Sequence, residues 1–257
     1  MFIEDLDYEN RSSKVYGVVT AIVTNNKDTE NMGRVKVSYP WLAENDESHW
    51  ARIATMMAGD NRGTYFIPEI KDEVLVAFEH GDIHYPYIIG SLWNGKDKVH
   101  ENNSDGENNL RVIKSRSGHK IIFDDTDGNE IITIIDHTED RKIVIDSKEK
   151  TIDIHNENGK INIFAGDDIN IETKKSLNIK TGSDTIVKAG GKIEEKSDGS
   201  VSIKAGSSCD IEATSAMTVQ GATLKAEASG MTDLKGKIVT VEASGATSIK
   251  GSVVNLN

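Results

Sequence analysis

The chain has 257 residues, 30 Lys+Arg against 42 Asp+Glu, a formal net charge of −12 and one cysteine. An acidic chain without a clustered basic patch excludes a nucleic-acid binder, because phosphate contacts need grouped Lys or Arg. A single cysteine, Cys209, excludes an intrachain disulfide and any Cys-rich metal centre.

Composition then divides the chain. All three prolines (Pro40, Pro68, Pro86) lie in its first third, and of 14 aromatic residues only Phe164 lies beyond Phe123. Length alone fits one large or two ordinary domains, and the shift in composition favours two architectures, one compact and one repetitive. The acidic start MFIEDLDYEN lacks the apolar stretch of a secretory signal, and no apolar run reaches 18 residues. The expectation is a chain folded in the cytoplasm without a signal peptide.

Residues 1–14 read as an N-terminal tail. Residues 15–93 read as a small β-barrel: VYGVVTAIVT, GRVKVSYPWL, HWARIATMM, DEVLVAFEHGD and YPYIIGSLWNG are short apolar strands between Gly/Asn/Asp turns. Within it, H80-G-D-I-H84 is the nearest thing to a metal motif, since strand alternation would put His80, Asp82 and His84 on one side. A closed zinc site wants a further ligand, so a turn between two strands is the preferred reading. Residues 94–110, rich in Asn, Asp and Lys, read as a linker, and 111–142 as a collar.

From 143 to 257 the chain repeats. Triplets I169-N-I171, L177-N-I179, T185-I-V187, I193-E-E195, V201-S-I203, C209-D-I211 and M217-T-V219 recur every eight residues. Later ones, L224-K-A226, T232-D-L234, V239-T-V241, T247-S-I249 and V254-N-L256, step by seven or eight; I161-N-I163 precedes at eight, and I152-D-I154 and I143-V-I145 precede it in steps of nine. In a strand, residues i and i+2 share a face, so each triplet buries its first and third residues and exposes the middle one. The five residues between triplets, rich in Gly, Ser, Asp and Lys, turn a corner. A fixed short period is the mark of a β-helix or related solenoid. Eight residues make one side of a triangle. One chain could close it with three octads per turn, or three chains could each supply a side; spacing does not decide. The candidate inward core is Ile145, Ile154, Ile163, Ile171, Ile179, Val187, Ile193, Ile203, Cys209, Ile211, Val219, Leu234 and Val241. The same phase points Glu195 inward, which demands a bulge, water or a compensating charge.

The barrel region resembles a known family. The succession G17-V-V-x-x-I, G33-R-V-K-V-x-Y-P-W41, S48-H-W-A-R52, G59, G63, P68-x-x-x-D-E-V-L-V-x-F78, G81-D82, P86 and G90-x-L-x-N94 is similar to the OB-fold domain of contractile-tail central spikes. These are the phage baseplate assembly protein V group, the cell-puncturing spikes and the VgrG proteins. S115-R-S-G-H-K-I-I-F-D-D-T-D-G128 is similar to the VgrG stretch leading into the β-helix. The resemblance implies an all-β homotrimer, an OB-fold barrel followed by a three-chain intertwined β-helix with octad repeats. It implies a separate hub protein at the OB end and a PAAR-type tip protein on the last rungs, at Thr247, Ile249, Val253, Val254 and Leu256. It implies a structural puncturing needle in a tail-like particle that contacts the target envelope, with no catalytic residue, cofactor or metal of its own. The competing readings are a single-chain β-helix lyase or hydrolase, which needs wider rungs and an acid–base constellation, and a passive tail fibre or adhesin.

Overall fold

Strict alternation makes the first strands. In Glu73–Phe78, Val74, Val76 and Phe78 are buried while the residues between them are only half-buried, as a period of two requires. A computed structural model of the protein describes residues 14–42 and 46–255, so most of the expected N-terminal tail and Leu256 of the expected tip surface lie outside the described residues. Seven strands precede the linker: β1 (Val19–Asn25), β2 (Lys36–Ser38), β3 (Arg52–Ile53), β4 (Ala58–Gly59), β5 (Arg62–Gly63), β6 (Glu73–Phe78) and β7 (Pro86–Leu92). Five form one sheet in the order β2-β1-β6-β7-β3. Its ends meet, because Val35 and Ala51 exchange both backbone hydrogen bonds, at 3.0 and 2.8 Å. The curled sheet encloses Ala21, Val23, Val35, Val37, Tyr39, Ala51, Val74, Val76, Phe78 and Ile88. Burial pushes the Tyr39 phenol up to about 12.

The β1–β2 loop is organised by one carboxylate. Asp28 accepts from Arg34 Nε at 2.8 Å and Nη2 at 2.9 Å, and from the backbone N–H groups of Glu30 and Met32. Its side chain is only 4% exposed. The Arg34 bonds, aided by the backbone donors, hold the carboxyl well below the usual range. The β4–β5 hairpin needs glycine at 63: φ is +146°, and a Cβ there would lie 2.4 Å from the Met57 carbonyl oxygen.

After the linker come β8 (Leu110–Lys114), β9 (Lys120–Asp124), β10 (Ile131–Ile135), β11 (Arg141–Asp146) and β12 (Thr151–Asn156). They form an antiparallel meander with strand order following chain order. Tight turns join them. Asp136, which closes the β10–β11 turn, is pushed up by partial burial but more strongly held down by bonds from Arg141 and Thr138, to about 2. The sheet continues past residue 142, where the sequence reading starts the β-helix. Ile145 and Ile154 therefore have strand neighbours within their own chain.

The chain divides into one unit ending at Ile171 and a second beginning at Glu172. Within the second, from 172 to 255, the described residues make no backbone–backbone hydrogen bond, and every one of them is exposed. The path is nonetheless regular. Bends fall at 174–175, 182–183, 190–191, 198–199, 206–207 and 214–215, a spacing of eight, and continue at 222, 229–230, 237–238, 244–245 and 252. Each lies between two of the apolar triplets.

Candidate assembly surfaces

Cross-strand register sorts the β8–β12 meander into two faces. On one, Phe123, Ile132, Ile145 and Ile152 stand in a row directly opposite one another. Ile113, Ile121, Ile134, Ile143 and Ile154 form the next row. They include the first and third residues of the triplets I143-V-I145 and I152-D-I154, and I121-I-F123 and I132-T-I134 carry the same pattern, with Ile113 added from β8. All are exposed, from 38% at Ile121 and Ile132 to 72% at Ile152. Nine large apolar side chains on one open sheet face exceed what a soluble surface ordinarily leaves bare and mark a place where protein packs.

The second unit repeats the same arrangement without strand partners. Its side-chain ion pairs join residues two apart: Lys192 to Glu194, Lys225 to Glu227, and Lys235 to Asp233. Residues i and i+2 meet only where the chain is extended. Each pair includes the middle residue of a triplet, so these charges lie on the side opposite the first and third residues. Ile171, the last residue of the first unit, and Ile163 before it are exposed at 72% and 75%. Ile179, Val187, Ile193, Ile203, Cys209, Ile211, Val219, Leu234 and Val241 are exposed too. So are Thr247, Ile249, Val253 and Val254 at the expected tip surface.

The barrel also exposes apolar side chains that the sequence reading did not single out. Met32, Met57, Tyr65 and Phe66 lie along a groove of about 670 Å³ beside the β4–β5 hairpin. Met56 next to it is 89% exposed. The excess of Met and aromatic residues around G59 and G63 was the available signal. His80, Asp82 and His84 sit on a turn: His80 has φ +51°, and Asp82 accepts from the His84 backbone N–H and pairs with its Nδ1 at 2.7 Å. His84 in turn packs against His49.

A curled five-stranded barrel with this order of glycines, prolines and buried valines defines an OB-type domain. More particularly, residues 19–93 match the family described as the Type VI secretion system/phage-baseplate injector OB domain. Among curated relatives, the Type VI secretion system spike protein VgrG1a of Pseudomonas aeruginosa is 37% identical over 93 residues, 33% of this chain and 14% of that protein. VgrG3 of Vibrio cholerae is 40% identical over 68 residues, 25% of this chain and 7% of that protein. VgrG4b of Pseudomonas aeruginosa is 31% identical over 139 residues, 45% of this chain and 17% of that protein. The chain thus covers under a fifth of the length of these relatives, and the residues that the family model matches, 19–93, are less than a third of it.

Proposed function

We propose that this chain is the central spike of a contractile injection machine, a trimeric and non-enzymatic needle. The observation that carries this reading is the second unit: a chain bent every eight residues, apolar at the first and third place of each octad, with no backbone partner of its own. Backbone N–H and C=O groups in a folded protein find partners. A one-chain solenoid would pair each octad with the one three octads later, inside the chain. That pairing is absent among the described residues, which favours the alternative left open by spacing: three intertwined chains, each giving one side of a triangular shaft. Face to face around one axis, Ile179, Ile203 and their equivalents would form the shared core. The nine-residue face of the meander would likewise pack against its copies in the other two chains.

The relatives' names supply the context. They are spike proteins, and the barrel carries the injector OB domain. In this reading the barrel docks the trimer to a separate hub protein, and the last rungs at Thr247, Ile249, Val253, Val254 and Leu256 receive a PAAR-type tip protein. Such a tip would cover the strand edges an open solenoid end exposes. The assembled spike would sit in the baseplate of a tail-like particle and meet the target envelope transiently.

Electron microscopy of the purified protein tests the reading. Eleven bends in the second unit, each advancing one strand spacing of ~4.8 Å, give a shaft of roughly 50 Å. A globular particle without a shaft contradicts it. For the tip, removal of residues 252–257 should abolish binding of the tip protein encoded beside this gene and leave the trimer intact; undiminished binding contradicts that assignment.

A further inference from the structure

The chain enters the barrel beside a small open pocket. The Val15 backbone N–H donates to the Gly81 carbonyl at 2.9 Å. A Cβ at Gly81 would stand 3.2 Å from Lys14 Cβ and 3.3 Å from the Tyr16 ring. Gly81 lies in the turn between β6 and β7, and Glu79 and His84, on either side of it, help to line a pocket of about 200 Å³. The described chain therefore begins at the rim of this pocket.

The pocket walls are largely aromatic. Trp50 and Tyr87 are half-buried, Tyr85 is 60% exposed and Met32 is 61% exposed. Arg34 lies over the Trp50 ring and Arg52 over the Tyr87 ring, with 5.6 and 4.7 Å from guanidinium carbon to ring centre. Both cations already have partners. Arg34 pairs with Asp28 and Glu30, and Arg52 donates to the Tyr87 hydroxyl, which in turn donates to Glu79. What the pocket offers an occupant is apolar surface, not a charge to neutralise. Met32 also borders the larger groove beside the β4–β5 hairpin, so it joins the two.

We propose that residues 5–9 of the same chain, which precede the described fold, cover this pocket as an extended segment. Their sequence is D-L-D-Y-E. Extended, Leu6 and Tyr8 share one face, and Asp5, Asp7 and Glu9 share the other. That alternation suits a segment with one face buried and one in water. Reach is ample: Tyr8 and Leu6 precede Lys14 by six and eight residues, spans of up to about 20 and 27 Å. Leu6 and Tyr8 would pack on Met32, Trp50 and Tyr85, while the three carboxylates stay hydrated. Met1, Phe2 and Ile3 would continue past Met32 toward Met57, Tyr65 and Phe66. A chain terminus is ordered when it is tied down in this manner. The contact lies within one chain and does not depend on the trimeric reading.

The test uses the full-length protein with photoreactive p-benzoylphenylalanine in place of Tyr8. Irradiation should join residue 8 to Met32, Trp50, Tyr85 or Tyr87, mapped by mass spectrometry of the digest. The crosslinked chain should still run at 28.1 kDa on a heated denaturing gel. Leu6→Asp should remove most of the crosslink, and so should Met32→Asp from the side of the pocket, with circular dichroism confirming a folded barrel in each. A band at twice 28.1 kDa overturns the proposal by giving the pocket to another copy's segment. The absence of any crosslink, crosslinks to other parts of the chain, or pocket crosslinks indifferent to both substitutions overturn it as well.

Discussion

In the barrel, Val23, Val37, Val74 and Val76 are 0–1% exposed, and the strands that carry them exchange hydrogen bonds with one another. In the second unit, Ile179, Ile203 and Val241 are 72–73% exposed, and the backbone around them has no partner. Residues of the same kind thus build a core within one chain in the first region, and in the second stand exposed on a surface that the proposed trimer would cover. Burying each such side chain is worth about 1.5–3 kcal/mol, which the proposed trimer would gain on assembly. The meander is intermediate: its backbone is paired within the chain, while its nine-residue apolar face is not covered.

This contrast can be broken by mutation. Ile203→Asp should have the largest effect, because in the proposed trimer it would place three unpaired carboxylates at one axis, each strongly disfavoured away from water. The expected outcome is loss of the trimer by light scattering with the barrel still folded. Trp41, Trp50 and Trp93, the only tryptophans, lie at or before residue 93, so their fluorescence reports on that part of the chain alone. Ile88→Ala should do the reverse, lowering barrel stability by about 2–5 kcal/mol while the trimer mass holds. If both variants change both readouts equally, the regions are not independent.

Smaller effects sharpen the same division. Glu195→Val should stabilise the assembled protein by on the order of 1–3 kcal/mol per chain, read as a higher melting temperature, if the octad phase holds Glu195 inward; an unchanged or lowered melting temperature places it outside. Acid should loosen the first unit. The carboxyls of Asp28 and Asp136 titrate below their unfolded value of about 4, so the stability they contribute is present above that pH and lost as pH falls through the folded values, about 2 for Asp136. Asp28→Asn should flatten this dependence in the tryptophan signal. Glu194→Ala removes only the exposed contact with Lys192 and should cost between nothing and about 1 kcal/mol.

Much of this was readable in the residues. The alternation in EVLVAF gave β6 with its buried face, and the eight-residue step of the triplets foretold bends that fall between them. What was not readable depended on partners distant in sequence. The reciprocal bonds of Val35 and Ala51 that bring the barrel edges together follow from tertiary closure, not from local pattern. The continuation of the meander to Asn156 was hidden because I143-V-I145 and I152-D-I154 carry the same apolar spacing as the later octads. Only the turns differ: the one between β11 and β12 is tight enough to fold the chain back on itself, whereas the later corners are not.

The central claim is that the octad-bent unit is made of three chains. Its most direct test is the native mass of the folded protein, measured across a wide dilution range with an unheated detergent gel alongside. The account predicts a species of three times 28.1 kDa that persists on dilution and in detergent. A folded species of 28.1 kDa, with backbone amides of residues 172–255 protected from hydrogen exchange, would contradict it and return the single-chain solenoid.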